Sequence, residues 1–227
     1  MHDLVSVIVP TRNAMPYLPE ALASIIAQGY PHLEILVVDG ASTDGSRNVA
    51  LSFPQVRLIE QAGIGLAAAR NSGLAAASGD LIAFLDADDH WPTDSLATRI
   101  ASLHTHPDAP YISGHVQRFA EPGTPVPAAY ANGWLDQPVP GYTPGAVVVR
   151  RSLYEAVGPF DEQLRIGCDS DWFARAKDVG AVLRFVPQLV LHKRIHTRNL
   201  SASIAAYQRE LLTIARRSLQ RRGVIGA

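Results

Sequence analysis

Three aspartates, Asp86, Asp88 and Asp89, fall within four residues. Carboxylates this close repel one another, and a cation relieves the repulsion. Asp86 and Asp88 alternate just after an apolar run, so both side chains can point the same way. Two carboxylates beside a phosphate-bearing substrate make a magnesium or manganese site, because these hard ions take oxygen ligands and leave positions open for phosphate oxygens. The plainer reading of the same residues is a solvated acidic turn, with Asp89 as a turn or cap residue before a helix beginning at Pro92. A second acidic group, Asp39-Gly40-Ala41-Ser42-Thr43-Asp44, follows another apolar run. Late in the chain, Arg194 and Arg198 flank His196. That trio suits a diphosphate, or else forms a solvated basic face. His192 and His196 would have zinc spacing on a helix, but Lys193 and Arg194 intervene and the segment reads as a loop. Asp169 can serve as a general base or simply cap the helix it begins, with Asp171 favouring the helix dipole.

These residues need elements to hold them. Apolar runs at 4–9, 33–38, 56–59 and 81–85 read as strands, and helical spacing appears at 16–28, 44–51, 64–77 and 92–103. Pro16 suits a helix start and Gly29 a helix stop. Strand and helix alternate and the strands are unbroken apolar runs, which predicts a mainly parallel sheet covered on both faces. Ligands of such sheets bind at the carboxyl ends of the strands. Pro10, Thr11 and Asn13, then Asp39, then Asp86 and Asp88, follow strand ends there. In the second half, 146–149 reads as a strand, 152–157 and 169–179 as helices, 182–186 and 188–192 as extended, and 201–222 as an amphipathic helix. The segment 121–145, rich in proline and glycine and holding Trp134 and Tyr142, is too long for an ordinary connection, so it is either functional or mobile.

The chain has 227 residues, 47% hydrophobic and 18% charged, with a net charge of −1. That suffices for one domain, which falls into two halves of different pattern, 1–105 and 106–227. The balanced charge gives no field for nucleic acid. Cys168 is the single cysteine, so no internal disulfide forms. The opening residues lack a signal-peptide pattern and no run is long enough to span a membrane, so the chain reads as cytoplasmic. The last helix places Ile204, Tyr207, Leu211, Ala215 and Leu219 on one stripe, with Arg209, Arg216, Arg217, Arg221 and Arg222 largely elsewhere. It either covers the domain or a dimer face, or docks on the inner face of an anionic membrane.

One motif points elsewhere. Gly63-Ile64-Gly65-Leu66-Ala67-Ala68 matches a dinucleotide fingerprint, with Asp86 about 20 residues later, as in NAD-dependent oxidoreductases. Against it, residues 56–60 are short and charged, unlike a central first strand. Its glycines also start beyond Glu60 rather than at a tight strand–helix turn. A nucleotidyltransferase would need a glycine-rich basic loop near the N-terminus, and Arg12 alone does not supply one.

Six blocks in order resemble family-2 glycosyltransferases of GT-A fold: Ser6-Val7-Ile8-Val9-Pro10-Thr11-Arg12-Asn13; Val37-Val38-Asp39 to Ser46; Gly65 through Arg70-Asn71-Ser72-Gly73; the Asp86-to-Asp89 strand end; Pro144 through Glu162 with Gly167-Cys168-Asp169-Ser170-Asp171-Trp172; and Arg194-Ile195-His196 to Ser201. The resemblance implies that Pro10, Thr11 and Asn13 line the nucleobase pocket and that Asp39 bonds the base, favouring UDP or dTDP. It implies Arg70 near the base or diphosphate, Asp86 on the ribose, Asp88 on Mn2+ or Mg2+, and His196 with Arg194 at the metal or diphosphate. It makes Asp169 the general base of an inverting transfer from a nucleotide-sugar donor to a sugar, lipid-linked or peptide acceptor. Cys168 departs from the pattern, which has Glu there. The competing class is a nucleotide-sugar-binding module without catalysis.

Overall fold

The computed structural model describes residues 3–125, 135, 137–199 and 204–226, with the side chains of 204 and 205 set aside. Trp134 lies outside the described residues. The elements run β1 (Val5–Thr11), α1 (Leu18–Ile26), β2 (Leu33–Asp39), α2 (Ser46–Leu51), β3 (Val56–Glu60), α3 (Leu66–Ala76), β4 (Leu81–Phe84) and α4 (Ser95–Thr105). They continue with β5 (Tyr111–Ala120), β6 (Val139–Pro140), β7 (Val148–Arg150), α5 (Arg151–Val157), α6 (Cys168–Asp178), β8 (Leu183–Ile195) and α7 (Ile204–Arg221).

All eight strands form one sheet. Its order is β3-β2-β1-β4-β7-β5, with β6 and β8 also paired to β5. The four strands β3, β2, β1 and β4 are mutually parallel. β7 is antiparallel to both β4 and β5, and β8 is parallel to β5. β5 and β8 therefore point the same way as β4, and their carboxyl ends reach the same rim. The predicted mainly parallel sheet is what forms.

Alternation along each strand feeds two cores. Val5, Val7 and Val9 face Leu18, Leu22, Leu96 and Ile100 of α1 and α4. Ile8, Leu36, Val38 and Phe84 face α3, α5 and α6, where Trp172 is almost fully buried. Burial on both faces is why β1 and β2 read as unbroken apolar runs. α3 approaches closely because its packing face is alanine and glycine. A Cβ on Gly73 would lie 2.3 Å from a methyl of Ile8.

Several elements differ from the sequence reading. β5 went unpredicted, because Ser113 and Gly114 interrupt its apolar run. The two extended segments expected at 182–186 and 188–192 are one long strand, Leu183–Ile195, so Arg194 lies in a strand rather than a loop. Pro16 sits before α1, whose early proline is Pro19, and α4 begins at Ser95 rather than Pro92. Tyr142 packs edge-on against Phe185, near the start of β8 and away from the strand-end rim.

The largest departure is the face that α7 turns inward: the helix covers the domain, but through Ile214, which is buried in the core beside Trp172, and the polar residues around it. Glu210 accepts backbone N–H bonds from Arg165, Ile166 and Gly167 at 3.0, 3.0 and 2.7 Å. Arg217 pairs with Asp161 at 2.8 Å, while Ser218 and Arg221 reach Asp178. The stripe expected to pack inward is exposed at Leu211 and Leu219.

Burial works against the Glu210 charge, but the three amides outweigh it and hold its carboxyl below the usual glutamate range. A depressed folded pKa adds stability above the unfolded value, and that stability is lost as pH falls through the folded pKa. Glu210→Gln should therefore cost about 2 kcal/mol at neutral pH. In thermal melts across pH, the difference from the parent should close below the ordinary glutamate pKa near 4.5.

Candidate active site

The parallel register puts Thr11 beside Asp39 and Asp39 beside Glu60 at the carboxyl ends of β1, β2 and β3. β4 stops three residues short of the end of β1, with Phe84 opposite Ile8 and Leu85 N–H donating to the Ile8 carbonyl at 3.0 Å. Asp39 is buried, accepts from Ser42 N–H at 3.2 Å and faces Arg47 at 3.5 Å. Asn13 accepts from Thr43 N–H at 2.8 Å, and its own N–H donates to Ser42 Oγ at 3.0 Å. Asp44 accepts from Met15 N–H and from the Ser46 hydroxyl, which themselves bridge to the β1 loop. These bonds outweigh burial and hold the Asp44 carboxyl below its usual range. The loops after β1 and β2 are thus stitched into one floor, with Pro10, Thr11, Asn13 and Asp39 along it.

The second half of the rim carries the charges. Carboxylate oxygens of Asp86, Asp88 and Asp89 lie within 4.8 Å of one another. Lys193 is shared by Asp86 and Asp89, and their other partners differ. Asp86 takes Arg70 at 3.2 Å on Oδ1 and Lys193 at 3.5 Å on Oδ2. Burial raises the Asp86 pKa, but Lys193 and Arg70 prevail and leave it lowered. Asp89 is buried, accepts Lys193 Nζ at 3.1 Å, and accepts the Arg194 backbone N–H at 2.8 Å. Burial, with the charges of Asp88 and Asp86, pushes its carboxyl up to about 7, and Lys193 opposes them. Asp89 is therefore a clamp between the β4 loop and β8, and it does not cap α4, which starts at Ser95.

Asp88 is the member left open. Its Oδ2 receives His196 Nε2 at 2.9 Å and Asn199 Nδ2 at 3.1 Å. Its Oδ1 meets no hydrogen-bond donor among the described residues. His196 Nδ1 accepts the Arg198 N–H at 3.1 Å, so the ring proton sits on Nε2 and is given to Asp88. His196 also stacks on Tyr17, with ring centroids 4.8 Å apart. Arg194 donates from Nε to the Asp88 carbonyl at 2.9 Å, pairs with Glu20, and lies between the Tyr17 and Phe119 rings. A carboxylate trio with one oxygen free fits a hard divalent cation, with His196 and Asn199 orienting the ligand from behind.

Arg70 underlies this half and is 1% exposed. Burial disfavours its charge, but Asp86, Cys168 and Asp169 hold its pKa above the usual arginine value. Its second nitrogen points at Cys168 Sγ, 3.5 Å away, at the start of α6. Burial raises the thiol to about 11, so it is a neutral partner where a carboxylate would be a charged one. Asp169 follows in the first turn of α6, with Ser170 N–H on its Oδ1 at 2.8 Å. Asp171 is instead paired with Arg175 at 2.7 Å.

Sequence reading missed Lys193, Tyr17 and Glu20, whose roles depend on which strands become neighbours. Asn199 lies in the same block as His196, which was the available signal for it. Gly63 and Gly65 follow β3, the outermost strand of the parallel half. The dinucleotide fingerprint requires a central strand there.

A parallel half-sheet with carboxylates at its strand ends and a basic, histidine-bearing segment closing over them defines a glycosyltransferase of GT-A fold. The "Glycosyl transferase family 2" model matches residues 6–158, and the chain belongs to that family. A glycosyltransferase of Nostoc sp. is 30% identical over 91% of this chain and 70% of its own. An Escherichia coli UDP-Glc:alpha-D-GlcNAc-diphosphoundecaprenol beta-1,3-glucosyltransferase is 39% identical over 44% of this chain and 41% of its own. A mannosyltransferase of Pyrobaculum calidifontis, solved with GDP-Man and Mn2+, superposes with a TM-score of 0.75 at 26% identity, covering 97% of this chain and 65% of that one. The chain spans about two thirds or less of the length of most curated relatives it matches.

Removing one partner of a buried ion pair leaves an uncompensated charge. Lys193→Met should therefore lower stability by about 3 kcal/mol near neutral pH, and Lys193→Arg by much less. Denaturant melts of both variants check this.

Proposed function

We propose that the protein transfers a sugar from a nucleotide diphosphate donor to an acceptor hydroxyl, with inversion and with a divalent metal. The observation that carries this reading is Asp88. It is oriented by His196 and Asn199, keeps one oxygen without a donor among the described residues, and sits on the rim where the β1 and β2 loops form a floor. Pro10, Thr11, Asn13 and Asp39 receive the base, Asp86 the ribose, and Arg70 supports Asp86 from below. Asp88 holds Mn2+ or Mg2+, with His196 and Arg194 beside it at the diphosphate. When bound, the metal neutralises charge on the departing nucleoside diphosphate. The Pyrobaculum neighbour's Mn2+ supports this cofactor.

Asp169 takes the acceptor proton. The acceptor oxygen attacks the anomeric carbon from the side opposite the leaving group, and the bond to the diphosphate breaks with its electron pair passing to phosphate. One displacement inverts the configuration. A UDP-sugar is the favoured donor, supported by the E. coli relative, with a dTDP-sugar next. That relative's lipid-linked diphosphate also supports a lipid-linked sugar acceptor. Residues 1–105 supply the donor side and 106–227 the acceptor side. Among the described residues no helix is long and apolar enough to cross a membrane.

A thermal-shift panel of UDP, dTDP, GDP and NAD with and without manganese tests the reading, since a ligand of the native state raises its melting temperature. A manganese-dependent shift with UDP or dTDP, abolished in Asp88→Ala, is expected. A shift with NAD alone refutes it. Once a donor is found, Asp169→Asn should keep that shift and lose about 10²- to 10⁴-fold in turnover.

A further inference from the structure

The outward face of α7 has no partner among the described residues. Leu212 is 74% exposed, and Leu211, Ala215 and Leu219 share its face at helical spacing. Val224 and Ile225 extend the apolar surface past the helix end at 59% and 40% exposure. Arg209, Arg216 and Arg222 border this surface and are exposed. Arg217 and Arg221 are occupied by Asp161 and Asp178. Glu210 is the one acidic residue of α7, and it is turned inward onto the 165–167 amides.

The face is therefore apolar along its axis, cationic at its borders and free of carboxylates. A second copy would bring arginines against arginines with nothing to answer them. An anionic bilayer answers both features, with acyl chains for the leucines and phosphates for the guanidiniums. We propose that this face of α7 docks on an anionic lipid surface.

Docking also has a direction. Tyr207, near the start of α7, bonds through its hydroxyl to Ser170 Oγ at 2.8 Å. Ser170 adjoins Asp169. A helix lying in the headgroup layer would hold the acceptor end of the site near that layer, and Leu219 lies about 18 Å further along the helix. This consequence rests on the lipid-linked acceptor proposed above; the docking itself does not.

The test is sedimentation of the full chain with vesicles of phosphatidylcholine alone, or of phosphatidylcholine and phosphatidylglycerol in equal parts. The chain should sediment with the anionic vesicles only. Leu212→Asp should weaken that partitioning about tenfold or more, because one leucine is worth roughly a factor of ten when buried. Its melting temperature should be unchanged, since the side chain is exposed. Arg209→Gln combined with Arg216→Gln should also weaken binding, and salt should mimic it. A chain that stays in the supernatant with anionic vesicles overturns the proposal. So does a solution dimer that Leu212→Asp dissociates without any vesicle binding. The manganese-dependent nucleotide shift is read separately on the same variants, so a failure of docking is distinguishable from a failure of the transferase reading.

Discussion

Three carboxylates can share the end of β4 only because β8 arrives beside them with cations. Lys193 reaches both Asp86 and Asp89, the Arg194 backbone closes on Asp89, and the Arg194 side chain holds the Asp88 carbonyl. Arg70 meets Asp86 from beneath. Without these contacts the trio would repel itself apart or take up protons. With them, one oxygen of Asp88 is left directed at the rim. The long parallel pairing of β8 with β5 serves this end, because it fixes the height at which Lys193 and Arg194 meet the β4 loop.

The same arrangement separates buried from part-exposed carboxylates among neighbours in sequence. Asp89 is buried and committed to the fold, while Asp88 is half-open and oriented. Asp171 is tied to Arg175, while Asp169 is left with a single backbone contact among the described residues. In each pair one aspartate, Asp89 or Asp171, is buried, and its neighbour is part-exposed. Cys168 belongs to the structural side, because it gives Arg70 a neutral contact and leaves Asp86 as the carboxylate bonded to that guanidinium.

Much of this was legible in the chain. β1, β2 and β4 are buried on both faces and so read as unbroken apolar runs, and the acidic residues following them mark the rim. β5 was not legible, because Gly114 sits where Val190 of β8 crowds it, and Ser113 and Gly114 break the apolar signal. The clamp of Asp89 by Lys193 was not legible either, since it depends on two distant strands becoming neighbours. α7 misled through its own periodicity. Its stripe is apolar, but Glu210, Arg217 and Arg221 find better partners on α6 and its preceding loop than the leucines do. Periodicity tells which side chains share a face, and not which face turns inward.

The span of the site along the chain has a consequence for how it is made. His196 and Asp88 are 108 positions apart, and Lys193 and Asp89 are 104 apart. The family match ends at residue 158, before any of these cations. As the chain leaves the ribosome, the β1–β4 half is complete while its acidic end still lacks β8. Contacts of such long range form late and slow folding. The acidic end of β4 is thus electrostatically unfinished until β8 has emerged, more than a hundred residues after it.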